Sequence, residues 1–292
     1  MKRSSLWLFA AMCVIWGIPY FLIRIAVGEI PPVVLVFART SIGALILVPI
    51  ALAQGGLKAM RGRWLPVLVF AAVEIGGPWI LLSSAEQQIS SSLAGLLVSS
   101  TPLLGTLIAP LFGNREGLGP LGIAGLLVGL VGVAAIVGLD LRASDTVAFI
   151  EMAVVAIGYS IGPAVLRRYL NGAPAVPVNG FSLAACAIVY APFAVRSWPS
   201  AMPSAAVLVS VGVLAVVCTA VAFLVFFTLI KQIGPVRATV ITYVNPAVAA
   251  LVGVAVLHET LTVGMGVGFV LVLVGSVLAT RPRSPAPAGQ QT

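Results

Sequence analysis

Apolar residues fill this sequence in long blocks rather than alternating with polar ones, and short connections carrying Gly, Pro or charge separate the blocks. Runs free of Asp, Glu, Lys and Arg extend over 40–57, 87–114, 117–139, 169–195, 197–230, 238–258 and 260–280. At ~20 residues per crossing, each is long enough for a membrane-spanning helix. Placing the breaks at the polar and Gly/Pro positions predicts ten helices, near 6–26, 33–53, 64–85, 90–112, 118–138, 146–167, 178–195, 205–230, 236–257 and 261–280. The connections Glu29-Ile-Pro-Pro, Gln54-Gly-Gly, Asn171-Gly-Ala-Pro and Trp198-Pro-Ser-Ala-Met-Pro mark turns by their backbone chemistry. The expected fold class is an all-α integral membrane protein of ten transmembrane helices in the cytoplasmic (inner) membrane.

Composition agrees with that reading. Of 292 residues, 60% are hydrophobic and 8% charged, against about 25% charged in a soluble domain. The net charge of +8 would suggest nucleic acid in a soluble protein, but its distribution gives another reason. With ten spans, one face collects Lys2, Arg3, Lys58, Arg61, Arg63, Arg115, Arg167, Arg168, Lys231, Arg237, Arg281 and Arg283, and the other only Arg24, Arg142 and Arg196. Arg39 stays inside a span. This bias puts both termini in the cytoplasm, and Glu29, Glu86, Asp140, Asp145 and Glu259 on the outer side. Met1-Lys-Arg and the apolar run behind it imitate a signal peptide, but no small-x-small site closes the run, so a retained first helix is expected. Cys13, Cys186 and Cys218 lie inside apolar spans without metal-type spacing and read as packing residues. The Pro- and Ala-rich end, 282–292, is expected to be a disordered cytoplasmic tail.

The two halves echo each other. Thr101-Pro102-Leu-Leu-Gly-Thr-Leu leads to Glu116-x-Leu118 and then Gly125 and Gly132. Asn245-Pro246-Ala-Val-Ala-Ala-Leu leads to Glu259-x-Leu261 and then Gly268 and Gly275. The prolines lie 144 positions apart and the later pairs 143. Units of five spans, 1–140 and 141–281, would enter the membrane from opposite sides, so the repeats are inverted, as in many secondary transporters with a site at the repeat interface. Together with Trp16-Gly17, Pro31 and Phe37-Ala38-Arg39, these blocks resemble the EamA family of the drug/metabolite transporter superfamily over nearly the whole chain. The resemblance implies a ten-helix bundle whose central cavity is lined mainly by spans 1, 3, 4, 6, 8 and 9. It also implies export of amino acids or other metabolites. Nothing around Asn179-Gly180-Phe181 duplicates Arg39 in the second half.

One residue carries most of the chemistry. Glu74 is the only charge between Trp64 and Ala85, ~15 Å from either end of its helix and so near the midplane. Facing lipid it would be costly, so it should face the bundle interior, where a carboxyl group keeps its proton unless a cation or water compensates. It can pair with a substrate amine, carry a coupling proton, or hydrogen-bond a neighbouring helix as a neutral acid. Pro78 lacks the N–H that would bond the Glu74 carbonyl, which predicts a kink at Gly76-Gly77-Pro78. The same spacing frees the carbonyls of Ile15, Val98, Tyr159 and Thr242 through Pro19, Pro102, Pro163 and Pro246. Trp16, Tyr20 and Arg24 form one stripe on the first helix. Trp79, Ser99, Tyr243 and Asn245 complete the candidate lining. Arg39 could snorkel outward or reach Glu74, and a structural role fits its place on a peripheral span. Glu116 and Glu259 read as caps for the helices they begin, and His258 as a surface or capping residue. The spaced pairs Gly125/Gly129 and Gly264/Gly268 permit close helix packing, within the chain or in a dimer. Whether the protein is a monomer or a homodimer is left open.

Other classes lack their chemistry. No activated Ser or paired Asp is present, no His-Glu-x-x-His, and no phosphate-binding Gly-rich loop. No metal, cofactor or nucleic acid is expected. What remains is a secondary transporter: partners are the lipid bilayer, a small-molecule substrate and protons, with amino-acid export by alternating access as the reading. Other metabolites or drug-like cations are the nearest alternative substrates. A non-transporting receptor or scaffold is the alternative from another class.

Overall fold

The computed structural model describes residues 3–113, 119–138, 145–238 and 240–280, and among them helices are the only regular secondary structure. Eight helices are long and apolar enough to cross a membrane: α1 (Ser4–Ala26), α2 (Pro32–Ala53), α3 (Trp64–Ala85), α4 (Ser91–Phe112), α5 (Pro120–Gly138), α6 (Thr146–Tyr169), α7 (Ala175–Arg196) and α8 (Ala205–Ile233). Two shorter apolar helices follow, α9 (Ile241–Leu257) and α10 (Val263–Ala279). The ninth span was expected from 236. The chain there instead forms a separate turn, Pro235–Ala238, before α9 begins at Ile241. Glu116 and the 282–292 tail lie outside the described residues.

Helices are the only open-ended solution for such segments, because oil offers no partner for backbone N–H and C=O groups. The prolines then decide where the helices deviate. In α1 the helix stops at Ile15 and restarts at Pro19, with Trp16, Gly17 and Ile18 between. In α4 it is interrupted at Ser99 and Ser100 and restarts at Thr101. There the Val98 carbonyl orphaned by Pro102 receives the Thr101 hydroxyl at 2.7 Å. α6 and α9 run on through Pro163 and Pro246, as α2 and α7 do through Pro49 and Pro192.

At Pro78 the expected kink takes a specific form. The helix widens into a π-helical turn, Ala71–Gly76, in which the Gly77 N–H reaches back five residues to the Ala72 carbonyl. Such turns are rare and concentrate at functional positions. Donors from α7 satisfy its carbonyls: Tyr190 Oη bonds Gly76 O at 3.0 Å, and Cys186 Sγ reaches Ala71 O at 3.5 Å. A second π-helical turn, Val216–Val221, lies in α8, and Thr219 donates to the Leu214 carbonyl, five residues back, at 2.8 Å.

Helix pairing is set by small residues. α5 lies along α10 with backbones in direct contact: a Cβ on Gly132 would stand 2.7 Å from Gly268 O, and one on Gly125 2.7 Å from Gly275 O. Gly125, Gly129 and Gly268 are therefore occupied inside the chain. α2 pairs with α7, α4 with α9, α3 with α6, and α1 with α8. The largest buried cluster joins the second half of α1, the ends of α3 and α4, and parts of α5, α6, α8, α9 and α10.

Candidate functional site

Glu74 sits in the middle of the α3 π-helical turn and is aimed at α6. A Cβ on Gly162 would overlap its Oε2, and one on Gly158 would meet the Val73 carbonyl and the Pro78 ring. α6 thus presents two glycines where α3 widens, and the space left by the missing Cβ at 162 holds a carboxyl oxygen. That oxygen is sealed from solvent and has no hydrogen-bond partner among the described residues. Trp79, about one turn further along, also packs near α6, where its side chain neighbours Tyr159. A π-helical turn holds more residues per turn than an α-helix. The wider turn keeps Glu74 and Trp79 on one side of α3 although they are five apart.

The centre of the site is a residue that sequence reasoning set at the periphery. Arg39 of α2 is only 7% exposed. Its guanidinium lies over the Trp79 ring, 3.6 Å from the centroid, and its Nε donates to Thr219 Oγ1 of α8 at 2.9 Å. It neither snorkels outward nor pairs with Glu74. Electrostatically it acts on Tyr159, Cys218, Tyr20 and Glu86, and Tyr159 senses both Arg39 and Glu74. The structure therefore brings Glu74, Trp79, Tyr159 and Tyr20 into one neighbourhood and adds Arg39 and Thr219, so that α1, α2, α3, α6 and α8 all contribute.

Other candidates lie elsewhere. Trp16 packs on Phe226 and Phe223 of α8, at 4.6 Å and 6.2 Å between ring centroids. Ser99 spends its hydroxyl on the Leu96 carbonyl of its own helix. Asn245 is buried and, with its amide turned so that Nδ2 donates, bonds Cys13 O at 3.2 Å and Ile241 O at 2.9 Å, tying α9 to α1. Thr242 is exposed, and Tyr243 reaches the end of α10, 3.5 Å from Thr280 Oγ1. Ser160, one residue beyond Tyr159, donates to the Thr101 carbonyl at 2.9 Å and so ties α6 to the break in α4.

Glu259 is placed at a helix N-terminus, but not that of α10, which Thr262 caps. It reaches across to α4, where one oxygen accepts from Ser91 N (2.8 Å) and Ser91 Oγ (3.0 Å) and the other from Ser92 N (2.9 Å) and Ser92 Oγ (2.5 Å). Spacing along the chain favoured the adjacent helix, and only the fold carries the carboxylate to the distant one. Two more polar ties lie at the same ends of the helices. Arg24 donates to the Glu86 carbonyl, and the Ser204 N–H that opens α8 donates to Glu29 Oε2 at 2.7 Å. The Ser204 hydrogen bonds, side chain before backbone, hold the Glu29 carboxyl below its usual range. His258 is exposed and ends α9 in the left-handed region, at φ 55°.

Two further acids were not singled out by the sequence. Glu86 is 0% exposed and neither carboxyl oxygen has a partner among the described residues; Glu151, half-buried in the first turns of α6, has one sealed oxygen without a partner among them. Glu151 was legible as an acid inside an apolar span. Nothing along the chain marked Glu86, which follows the last turn of α3, as buried.

Comparison with known proteins adds the following. A solved crystal structure superposes with a TM-score of 0.67 over 96% of this chain and 97% of the other, at 23% identity, so the two share a fold. An uncharacterized inner membrane transporter of Escherichia coli, YedA, is 26% identical over 86% of this chain and 82% of its own length. An uncharacterized transporter of Bacillus subtilis, YvbV, is 23% identical over 98% of this chain and 94% of its own. The model of the EamA-like transporter family matches twice, over residues 3–138 and 147–281. With both halves matched, a lipid-suited helical architecture and a polar cluster buried between the helices, the chain belongs to the EamA-like transporter family.

Proposed function

We propose that the protein exports amino acids across the cytoplasmic membrane by alternating access, through ten spans arranged as inverted five-helix repeats, 1–140 and 141–281, with both termini inside. At ~1.5 Å per residue, α9 and α10 are each ~25 Å long, slightly under the ~30 Å hydrocarbon core. The Pro235–Ala238 turn before α9 makes up the difference.

Several observations support the repeat. The family model matches once per half. Exchanging α1 with α6, α2 with α7, α3 with α8, α4 with α9 and α5 with α10 returns the same helix pairs. The π-helical turns begin 145 positions apart, and Pro19/Pro163, Pro31/Pro174 and Pro49/Pro192 repeat at 144, 143 and 143. Glu259 and Glu29 both bond across the two halves. On the proposed orientation these bonds lie at the outer face, so opening outward must break them.

The observation that carries the function is Glu74, whose Oε2 has no hydrogen-bond partner among the described residues and is held in a π-helical turn against Gly162 of the other half of the chain. Such a group is available to a substrate ammonium or a coupling proton. A drug-like cation fits less well, because Arg39 shares the site and repels it. The test is flux in proteoliposomes from pH 5 to 8, with and without a pH gradient. Glu74→Gln should abolish transport or flatten its pH dependence; wild-type flux across that range in the variant would remove Glu74 from both roles. Absence of flux for every small molecule tried with the wild type would favour a receptor or scaffold instead.

A further inference from the structure

A buried guanidinium with no carboxylate beside it needs an account. Taking an ion out of water costs several kcal/mol unless an opposite charge or dense hydrogen bonding compensates. Arg39 is 7% exposed, and no carboxylate lies in ion-pair contact with it among the described residues. Of its five N–H donors, the one on Nε is taken by Thr219, and no other protein acceptor bonds it among the described residues. The edge that carries Nη1 and Nη2 is left without a protein partner. Its position is nevertheless fixed, because the guanidinium carbon lies over the Trp79 ring, 3.6 Å from its centroid, and the Thr219 hydroxyl, itself anchored to Leu214 O, holds Nε. A fork held at two points, with its outer edge free, can bind a planar carboxylate through two parallel hydrogen bonds.

The acid on the other side matches it. Glu74 Oε2 also lacks a hydrogen-bond partner among the described residues; it abuts Gly162, three residues from Tyr159 on α6, and Tyr159 senses both charges. A cation and an anion that do not pair with each other, both on first-half helices and bordered by Thr219 and Tyr159 of the second half, complement a molecule that carries both signs.

We propose that Arg39 is the anion subsite of the transport pathway, its outer guanidinium edge binding the carboxylate of a zwitterionic substrate whose ammonium group is taken by Glu74. This rests on the reading of the chain as an amino-acid transporter. It adds a required group on the substrate, and it gives Arg39 a ligand in place of a structural role.

The experiment uses the full-length protein, purified in detergent and in proteoliposomes, with the twenty proteinogenic amino acids and their α-amides, which keep the amine and lose the carboxylate. The acids that bind should raise the melting temperature of the wild type and be carried, while their amides do neither. Arg39→Gln should raise KM for the carried acids about tenfold or more, the size expected for hydrogen bonds to a charged group. Arg39→Lys, which keeps the charge without the fork, should fall between. Amides carried as well as the acids, or an unchanged KM in folded Arg39→Gln, would overturn the subsite. Should Arg39→Gln fail to fold, the wild-type contrast of acid and amide decides alone. If no amino acid binds, the amino-acid reading falls, and carboxylates without an amine, such as butyrate and succinate, become the probe. Stabilisation by these in the wild type but not in Arg39→Lys keeps the anion subsite, and no stabilisation removes it as well.

Discussion

At the scale of single residues, the site depends on one missing atom. The Glu74 carboxyl occupies the position where any other residue at 162 would put its Cβ. Gly162→Ala should therefore push the carboxyl aside while leaving the α3–α6 contact otherwise whole. The expected outcome is at least a tenfold loss of flux in proteoliposomes with a melting temperature close to wild type, since misplacing a group by about an ångström is costly for function. Wild-type flux in Gly162→Ala would show that the position of the carboxyl does not matter. Any pH dependence between 5 and 8 belongs to groups other than Glu29. Its folded-state pKa is depressed, so its bond to Ser204 is fully present above the unfolded value near 4.5 and is lost only as pH falls through a lower one. Glu74 was legible as a lone charge in an apolar run. Arg39 was equally visible, yet its setting was not, because Trp79 and Thr219 lie 40 and 180 positions away and nothing local says that a peripheral helix turns its arginine inward.

At the scale of elements, proline and glycine do most of the work. Each proline frees a carbonyl, and the helices answer in several ways: a break with a hydroxyl cap in α4, a stop and restart in α1, a π-helical turn in α3, and no break in α2, α6, α7 and α9. The proline arithmetic located the first three disturbances but not the π-helical turn of α8, and which response follows depends on the neighbours, here Tyr190 and Cys186 of α7 for the α3 carbonyls. Glu259 makes the same point for helix ends. It accepts four hydrogen bonds at the start of α4, satisfying two backbone N–H groups and complementing the positive end of the helix. Glu259→Ala should lower the unfolding midpoint, by the equivalent of about 1–2 kcal/mol for a lost cap. It should also make a cysteine introduced at Ser92 easier to label from the outer side. A midpoint equal to wild type would mean that water replaces the carboxylate at no cost.

At the scale of the whole molecule, orientation rests on charge. Twelve basic residues against three are the basis for the proposed inside orientation of both termini, and a reporter fused after Thr292 tests it directly. A green fluorescent protein fusion should fluoresce and an alkaline phosphatase fusion should stay inactive; the reverse pair would invert the topology and move the Glu259 and Glu29 bonds to the inner face. The glycines of α5 and α10 illustrate a choice made only at this scale, since a spaced-glycine stripe serves a dimer and an internal contact equally well. In this chain Gly125, Gly129, Gly132, Gly268 and Gly275 are used up between α5 and α10.

The sequence by itself determined what is local or additive. Apolar length specified helices, because oil leaves backbone groups no other partner. Proline positions marked the disturbances in α1, α3 and α4, though not the π-helical turn of α8, and Glu74 stood out as the charge that lipid would not accept. The tertiary structure alone decided what those pieces meet: Arg39 on Trp79 and Thr219, the Glu74 carboxyl against Gly162, Glu259 on α4, and Glu86 sealed without a partner. The reason is physical. Helix formation is satisfied within a segment, whereas the partner of a buried charge comes from packing between segments tens to hundreds of residues apart, on which short-range spacing carries no information.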